Sequence, residues 1–446
     1  MQGSAAYPVA MSRKQSAVPS ETATLVDDRE RLTELVNFVR DKSPFYRELY
    51  AKVPKDNIAL TDLPILDHGA FWDANTLHGN TVLTDTMIDG TIYKSGGTTA
   101  SPKWSFYTRT DSESMARVWA QGLISAGLRA GDIVANLFYG GELYASFTHN
   151  VFSTHFCPVP VIHLGIGRAS PESIVDYFRE HQPTVVLSTV TTLCLVAELV
   201  AKGEQIKSVD LILFAGEAFF EDQRQVLLRA FPNAKINSCG YASVEGGILG
   251  IPVSSSSDPR VHRVPTWNNE IEIIDPDTGA VITQPGIPGR LVVTSLTRRL
   301  MPVIRYPAGD VAEWVDYEGA VFRLLGRDDH GVRMGPVTIY WNDFRLLLSE
   351  LFPEMSTTGI QLVLRRKNAM DELTLRVVGS PPDKEAARKA IEDGLARVRP
   401  FFKNHVDMRQ IAPLAVEWVK EVSMLKSNAR SGKLMLVVDD RALNYS

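Results

Sequence analysis

The sequence predicts an α/β protein: a large N-terminal domain with parallel-rich sheets and a small β subdomain, followed by a small α+β C-terminal domain. Between residues 133 and 215, short apolar runs alternate with helical stretches. That is the pattern of a parallel sheet with helices on its faces. Near residue 258 the pattern turns to strand–turn–strand without helices. After Gly326-Arg327, two strands, a helix and a closing strand make a unit of about 115 residues, an ordinary domain size. The expected division is a disordered tail over 1–20, an N-terminal domain over 21–326 with its β-rich part from about 258, and a C-terminal domain over 327–446.

Each element has its own signal. Residues 21–55 read as helix, with Leu32, Leu35, Val36, Val39 and Tyr46 at helical spacing. A second helix over 111–129 ends at Gly127 and Gly131. Strands are expected at Ile133–Phe138, Cys157–Ile162, Thr184–Ser188 and Leu211–Ala215, and again at Lys235–Ser238. Helices at 141–154, 171–181 and 191–203 separate them, the second entered through Ser170 as N-cap and Pro171 in its first turn. Ile271–Ile274, the turn Asp275–Gly279, Ala280–Thr283 and Gly289–Ser295 make the β subdomain. Strands at 359–365 and 372–378 flank a charged turn, before helix 382–398 and a last strand Val416–Val422.

Composition narrows the function. The chain has 446 residues, 44% hydrophobic and 22% charged, an ordinary globular balance. A net charge of −5 gives no basic field for nucleic acid, and Arg365-Arg366-Lys367 reads as a solvated hairpin tip. Cys157, Cys194 and Cys239 fit neither zinc nor redox spacing and read as buried free thiols, pointing to a reducing compartment. The first 20 residues lack the apolar core of a secretion signal, and no apolar run reaches membrane-spanning length. A soluble, cytoplasmic monomer or homodimer is expected, with neither nucleic acid nor membrane as partner.

The run Tyr93–Lys103 carries the strongest chemical signal. Ser95, Thr98, Thr99 and Ser101 offer hydroxyls, Gly96 and Gly97 let backbone N–H groups approach an anion, and Lys94 and Lys103 add charge. This suits a polyphosphate, although G-x-x-x-x-G-K-[ST] is absent. A polar turn between two strands is the plain alternative. Further clusters are Ala215-Gly216-Glu217, Gly240-Tyr241 through Glu245, Ile304 through Asp310, Gly326-Arg327-Asp328-Asp329 and Ser431-Gly432-Lys433. Singly, each also reads as a turn, a core residue or a surface charge.

In this order the clusters resemble the adenylate-forming superfamily of acyl- and aryl-CoA ligases, adenylation domains and luciferases, from about residue 30 to 440. The segments Ser43–Tyr50 and Thr294–Tyr306 are similar to the phenylacetate–CoA ligase branch. The resemblance implies that a carboxylate attacks the α-phosphorus of ATP, giving acyl-AMP and pyrophosphate, and that a thiol, usually of coenzyme A, then displaces AMP. It implies that Ser95 to Lys103 wraps the outer phosphates. Tyr241 would lie against adenine opposite Gly216 and Glu217, with Gly240 beside it. Glu245 would bind Mg²⁺, Asp310 the ribose hydroxyls, and Arg327 ribose or phosphate. Lys433 would bridge the acid and the α-phosphate. A mobile C-terminal domain would turn about a hinge at Asp329. The aryl pocket is expected beside Phe138, Tyr139 and Gly140 and the run Gly246, Gly247, Ile248, with His163 either lining it or sitting in the core.

The chain departs from the family pattern at Ala100, Ala242, Val244, Pro307, Ala308 and His330, and its tail lacks a frequent proline. Besides an aryl-CoA ligase, two readings stay open. One is an adenylating enzyme that delivers the aryl group to a carrier protein, an amine or a reductase. The other is a degenerate nucleotide-binding protein.

Overall fold

The computed structural model describes residues 28–440 apart from 96–102, 202, 217, 218, 220, 277, 328–330, 335, 336, 355–358, 368, 369, 408–410 and 429–431. Helices α1 (Asp28–Lys42), α2 (Pro44–Leu49) and α3 (His68–Ala74) open the chain. The expected single helix is two, because Pro44 cannot continue the first and instead starts the second, with the Ser43 hydroxyl accepting from the Tyr46 N–H at 3.3 Å. Leu35, Val36, Val39 and Tyr46 are fully buried in the core they share with Leu300, Met301 and Tyr306.

Strands β1 (Thr91–Ser95) and β2 (Lys103–Tyr107) pair antiparallel, with Thr91 opposite Tyr107 and Ser95 opposite Lys103. Helix α4 (Arg109–Ala126) follows, capped by Thr108 and Asp111 and stopped by Gly127 at φ +120°. The expected parallel sheet is there: β3 (Ile133–Asn136), α5 (Ala145–His155), β4 (Ile162–Gly165), α6 (Pro171–His181), β5 (Val185–Ser188), α7 (Val190–Val200), β6 (Leu211–Phe214), α8 (Glu221–Ala230) and β7 (Lys235–Ser238). Its strand order is β4-β3-β5-β6-β7, all parallel. Order reverses between β3 and β5, and ligands of such sheets bind at the strand ends beside a reversal.

Two expected boundaries shift for identifiable reasons. The strand placed at Cys157–Ile162 runs instead over Ile162–Gly165, pairing with β3 only after Pro158 and Pro160, which have no N–H to donate. Helix α5 starts at Ala145 because Glu142 and Leu143 have φ of +45° and +65°, outside the right-handed helical region.

A seven-stranded antiparallel sheet comprises β8 (Tyr241–Ser243), β9 (Gly247–Pro252), β10 (Val261–Arg263), β11 (Asn269–Ile274), β12 (Gly289–Ser295), β13 (Tyr306–Asp316) and β14 (Val321–Arg327), in order β11-β12-β13-β14-β10-β9-β8. Ala280–Thr283 makes only an isolated bridge, Ile274 to Val281, before Pro285 and Gly286 turn the chain away. A hairpin of β15 (Gly331–Met334) and β16 (Val337–Tyr340) precedes α9 (Trp341–Leu351). The last sheet holds β17 (Ile360–Lys367), β18 (Met370–Val378), β19 (Ala415–Val419) and β20 (Val437–Asp439), with α10 (Lys384–Val398) and α11 (Pro400–Asp407). Arg365, Arg366 and Lys367 belong to β17 rather than to the turn. The expected final strand stops at Val419, and Val422–Met424 is a 3₁₀ turn. All three cysteines are free, Cys194 and Cys239 buried and Cys157 half-buried. Among the described residues no helix is long and apolar enough to cross a membrane.

Candidate active site

The carboxyl ends of the parallel strands carry part of the candidate set: Phe138 follows β3, Gly216 follows β6 and Gly240 follows β7. β3 ends at Asn136, whose buried side chain accepts from the Phe138 N–H at 3.1 Å and fixes the chain as it leaves the sheet. Phe138 is buried, while Tyr139 is half-buried, packing on Tyr144 and under Arg168. Gly140 faces the Phe147 ring, which a Cβ there would meet at 3.0 Å. The Leu143 carbonyl accepts from the Lys94 N–H at 2.9 Å, so this loop abuts the β1–β2 hairpin.

His163 is held from both sides. Its Nδ1 lies 2.9 Å from Thr154 Oγ1, and its Nε2 lies 3.3 Å from Asn136 Nδ2. The Thr154 hydroxyl already donates to backbone carbonyls of its own helix, so His163 Nδ1 carries the proton and Nε2 accepts. Burial first, then the neighbouring His155, lowers its pKa to about 4, keeping the ring neutral.

Ala215 and Gly216 follow the end of β6, with Gly216 at φ +80°. Lys433 packs directly on this glycine: a Cβ there would overlap Nζ and come within 2.7 Å of Cε. Gly432 lies beside Thr192 at the start of α7, where a Cβ would be 3.7 Å from Oγ1. A lysine from the last sheet's connections is thus delivered to the mouth of β5 and β6.

Beyond β7, Gly240 has φ +140° and admits no side chain, since a Cβ would lie 2.9 Å from both the Gly250 carbonyl and the Trp119 ring. This turn aims Tyr241 at β13, where its hydroxyl donates to Asp310 Oδ2 at 2.5 Å. Asp310 and Arg327 are register partners across β13 and β14. Tyr241 also packs edge-on against Phe322.

Glu245 closes the same loop, half-buried. Its carbonyl accepts from Arg298 Nη1, and the carbonyl of Val244 accepts from the Tyr107 hydroxyl at 2.7 Å. Burial pushes the Tyr107 hydroxyl up to about 12, so it stays a donor. Gly246, Gly247 and Ile248 border a cavity of about 20 Å³, together with Tyr107, Asp111 and Arg298. That is room for one water and not for an aryl ring.

Lys103 starts β2 with Nζ 2.8 Å from His68 Nε2 and 5.4 Å from the Trp72 ring centroid. His68 in turn packs on Tyr306, whose hydroxyl accepts from Trp72 Nε1 at 3.0 Å. Gly96, Gly97, Thr98, Thr99, Glu217 and Asp329 lie outside the described residues, as do the side chains of Ser95 and Arg327.

Sequence reasoning missed His68, Trp72, Tyr107 and Arg298. Arg298 lies inside the segment Thr294–Tyr306 already singled out. The other three carry no motif, and only their position in the fold reveals them.

The donor chemistry fits a phosphate-bound Mg²⁺. Among the described residues no three His, Cys, Asp or Glu side chains gather as a metal cage. An ion held mainly by substrate phosphates and water would need only one protein carboxylate, and Glu245 is the candidate that would supply it.

No family model matches the chain. The phenylacetate-coenzyme A ligase of Thermus thermophilus is 26% identical over 382 residues, covering 82% of this chain and 83% of its own. That of Aromatoleum evansii is 25% identical over 414 residues, covering 87% and 90%. Among solved structures, a 2-hydroxyisobutyryl-CoA ligase in its postadenylation state superposes with a TM-score of 0.69 at 20% identity, over 93% of this chain and 89% of that one. In sequence the chain is thus similar to phenylacetate-coenzyme A ligases over more than four-fifths of its length, and it shares the fold of an acyl-CoA ligase of known structure.

Proposed function

We propose that the chain is an aryl-CoA ligase, which activates an aromatic carboxylic acid as acyl-AMP and passes the acyl group to coenzyme A. Those curated relatives are named phenylacetate-coenzyme A ligases. The aromatic acid is our own reading, supported by Phe138, Tyr139 and Tyr144 at the end of β3.

The observation that carries the proposal is the seat of Lys433 on Gly216 after β6, in the sheet whose last strand leads through Gly240 to Tyr241 and its bond to Asp310. In the first step the acid's carboxylate oxygen bonds to the α-phosphorus, and the bond to the leaving pyrophosphate oxygen breaks. Lys433 stabilises the negative charge gathering at the phosphorus, and Lys103 with residues 95–99 that on the departing pyrophosphate. Asp310 accepts from the ribose hydroxyls, and Tyr241, held by Asp310, presents its ring to adenine opposite Gly216. Glu245 would hold Mg²⁺, which when bound neutralises phosphate charge. In the second step the thiol of coenzyme A attacks the acyl carbon and AMP leaves. We assign residues 327–446 as the lid that withdraws Lys433 between steps, with Asp329 as hinge and Arg327 beside it.

The test is pyrophosphate release with ATP, Mg²⁺ and a panel of benzoates, phenylacetates and larger aryl acids, with and without coenzyme A. Turnover with an aryl acid that requires coenzyme A supports the proposal. Turnover with aliphatic acids alone refutes the aromatic assignment, and release unchanged by coenzyme A refutes it as acceptor.

A further inference from the structure

We infer that Arg298 is a positioning residue for the metal-bearing end of the site, clamping the Glu245 loop to the strand that begins at Lys103. The inference rests on the adenylation reading above and adds a residue to it.

Arg298 is 4% exposed. One arm of its guanidinium, Nη1, donates to the Glu245 carbonyl. The other, Nη2, donates to the Phe106 carbonyl in β2 at 2.7 Å. Its Cζ lies over the ring of Tyr107, the next residue of β2, 3.9 Å from the centroid. The Tyr107 hydroxyl then donates to the Val244 carbonyl at 2.7 Å. Two successive carbonyls, 244 and 245, are therefore held by two side chains in contact, Tyr107 of β2 and Arg298 bonded to that strand. Lys103 begins that strand and Glu245 ends the loop it holds.

The chemistry requires this arginine's geometry. A guanidinium presents parallel donors to two separate carbonyls while its face rests on an aromatic ring, whereas an ammonium is a point donor. Among the described residues Arg298 has no carboxylate within ion-pair distance, so two carbonyls and a ring face take up its charge. Residues that orient a metal-binding side chain without touching the ion commonly change metal affinity or activity by about 10- to 100-fold.

The test compares calorimetric binding of three probes: ATP with Mg²⁺, ATP with EDTA, and AMP. The wild type is set against Arg298→Lys, Arg298→Met and Tyr107→Phe. Arg298→Lys and Arg298→Met should lose about tenfold of the magnesium-dependent gain in ATP affinity. AMP, which needs only the Tyr241 and Asp310 side, should bind within about twofold of wild type. Tyr107→Phe, which keeps the ring and loses one hydrogen bond, should fall between. An unchanged magnesium-dependent gain in the Arg298 variants overturns the inference, as does an equal loss for AMP and MgATP, the mark of a general structural role. If Arg298→Met does not fold, Arg298→Lys and Tyr107→Phe decide by the same ratio. Wild-type protein that shows no magnesium-dependent gain refutes the metal role of Glu245 itself, a failure distinct from that of the clamp.

Discussion

Gly216→Ala tests the placement of Lys433 without touching the lysine. A methyl at 216 would overlap Nζ and sit 2.7 Å from Cε, closer than any non-bonded carbon pair tolerates, so the lysine must retreat. The φ of +80° adds about 1 kcal/mol of backbone strain for an alanine. Removing the amine altogether, as Lys433→Ala, should slow adenylation about 100-fold or more, roughly 3 kcal/mol of transition-state stabilisation. Gly216→Ala leaves the amine in place but displaced, so its loss is bounded by that figure and should fall at roughly 10- to 100-fold. The assay is single-turnover pyrophosphate release, run beside thioester formation from synthetic acyl-AMP and coenzyme A, which does not use Lys433 in our mechanism. Adenylation should fall and thioester formation should hold. Two residues acting through one contact are non-additive, so the double variant should be little worse than Lys433→Ala. A folded Gly216→Ala protein with wild-type pyrophosphate release, or fully additive losses, would refute the contact.

Three other outcomes follow from the same coordinates. Arg305, 6% exposed, donates twice to Glu272 at 2.8 Å, so Arg305→Met strands a buried carboxylate and should cost about 3–5 kcal/mol in urea unfolding, which adding Glu272→Leu should largely restore. Burial holds His149 and His262 at pKa values of about 4, below the unfolded value, so both are neutral when folded. Their contribution is fully present above about pH 6.5 and is lost as pH falls toward 4, at up to about 1.4 kcal/mol per pH unit each; replacing His262 with Gln should shallow the slope of denaturation midpoint against pH over that window. Asp310→Asn removes the charged acceptor proposed for ribose and should weaken AMP binding by about 10- to 100-fold in equilibrium titration, with MgATP affected alike.

What the sequence revealed divides along a physical line. The parallel sheet was legible because β5 and β6 are buried on both faces and read as unbroken apolar runs, Val185–Leu187 and Leu211–Phe214. Boundaries failed where one backbone-restricting residue overruled the hydrophobic pattern: Pro44 split a helix, Pro158 and Pro160 delayed a strand, and the left-handed Glu142 and Leu143 delayed a helix. The glycines of the site were legible for a related reason. Gly216 and Gly240 hold positive φ at close approaches, a demand that few other residues meet and that therefore marks the sequence.

Side chains that act through others leave no such mark, and the segment Thr294–Tyr306 shows why. It carries two buried arginines, Arg298 and Arg305, in similar apolar company. Arg305 makes a bidentate ion pair with Glu272 and reaches the Leu63 carbonyl, which ties the N-terminal helical region to the β sheet. Arg298 spends both arms on carbonyls and rests on Tyr107, next to Glu245. Nothing in the residue types or their spacing distinguishes the two. The difference lies in which strand arrives opposite each arginine, β11 of the same sheet for Arg305 and β2 of another sheet for Arg298. Arg298→Lys and Arg305→Lys should therefore part in a way no sequence pattern foretells. Both should lower stability, but only the change at 298 should alter how much ATP binding gains from Mg²⁺.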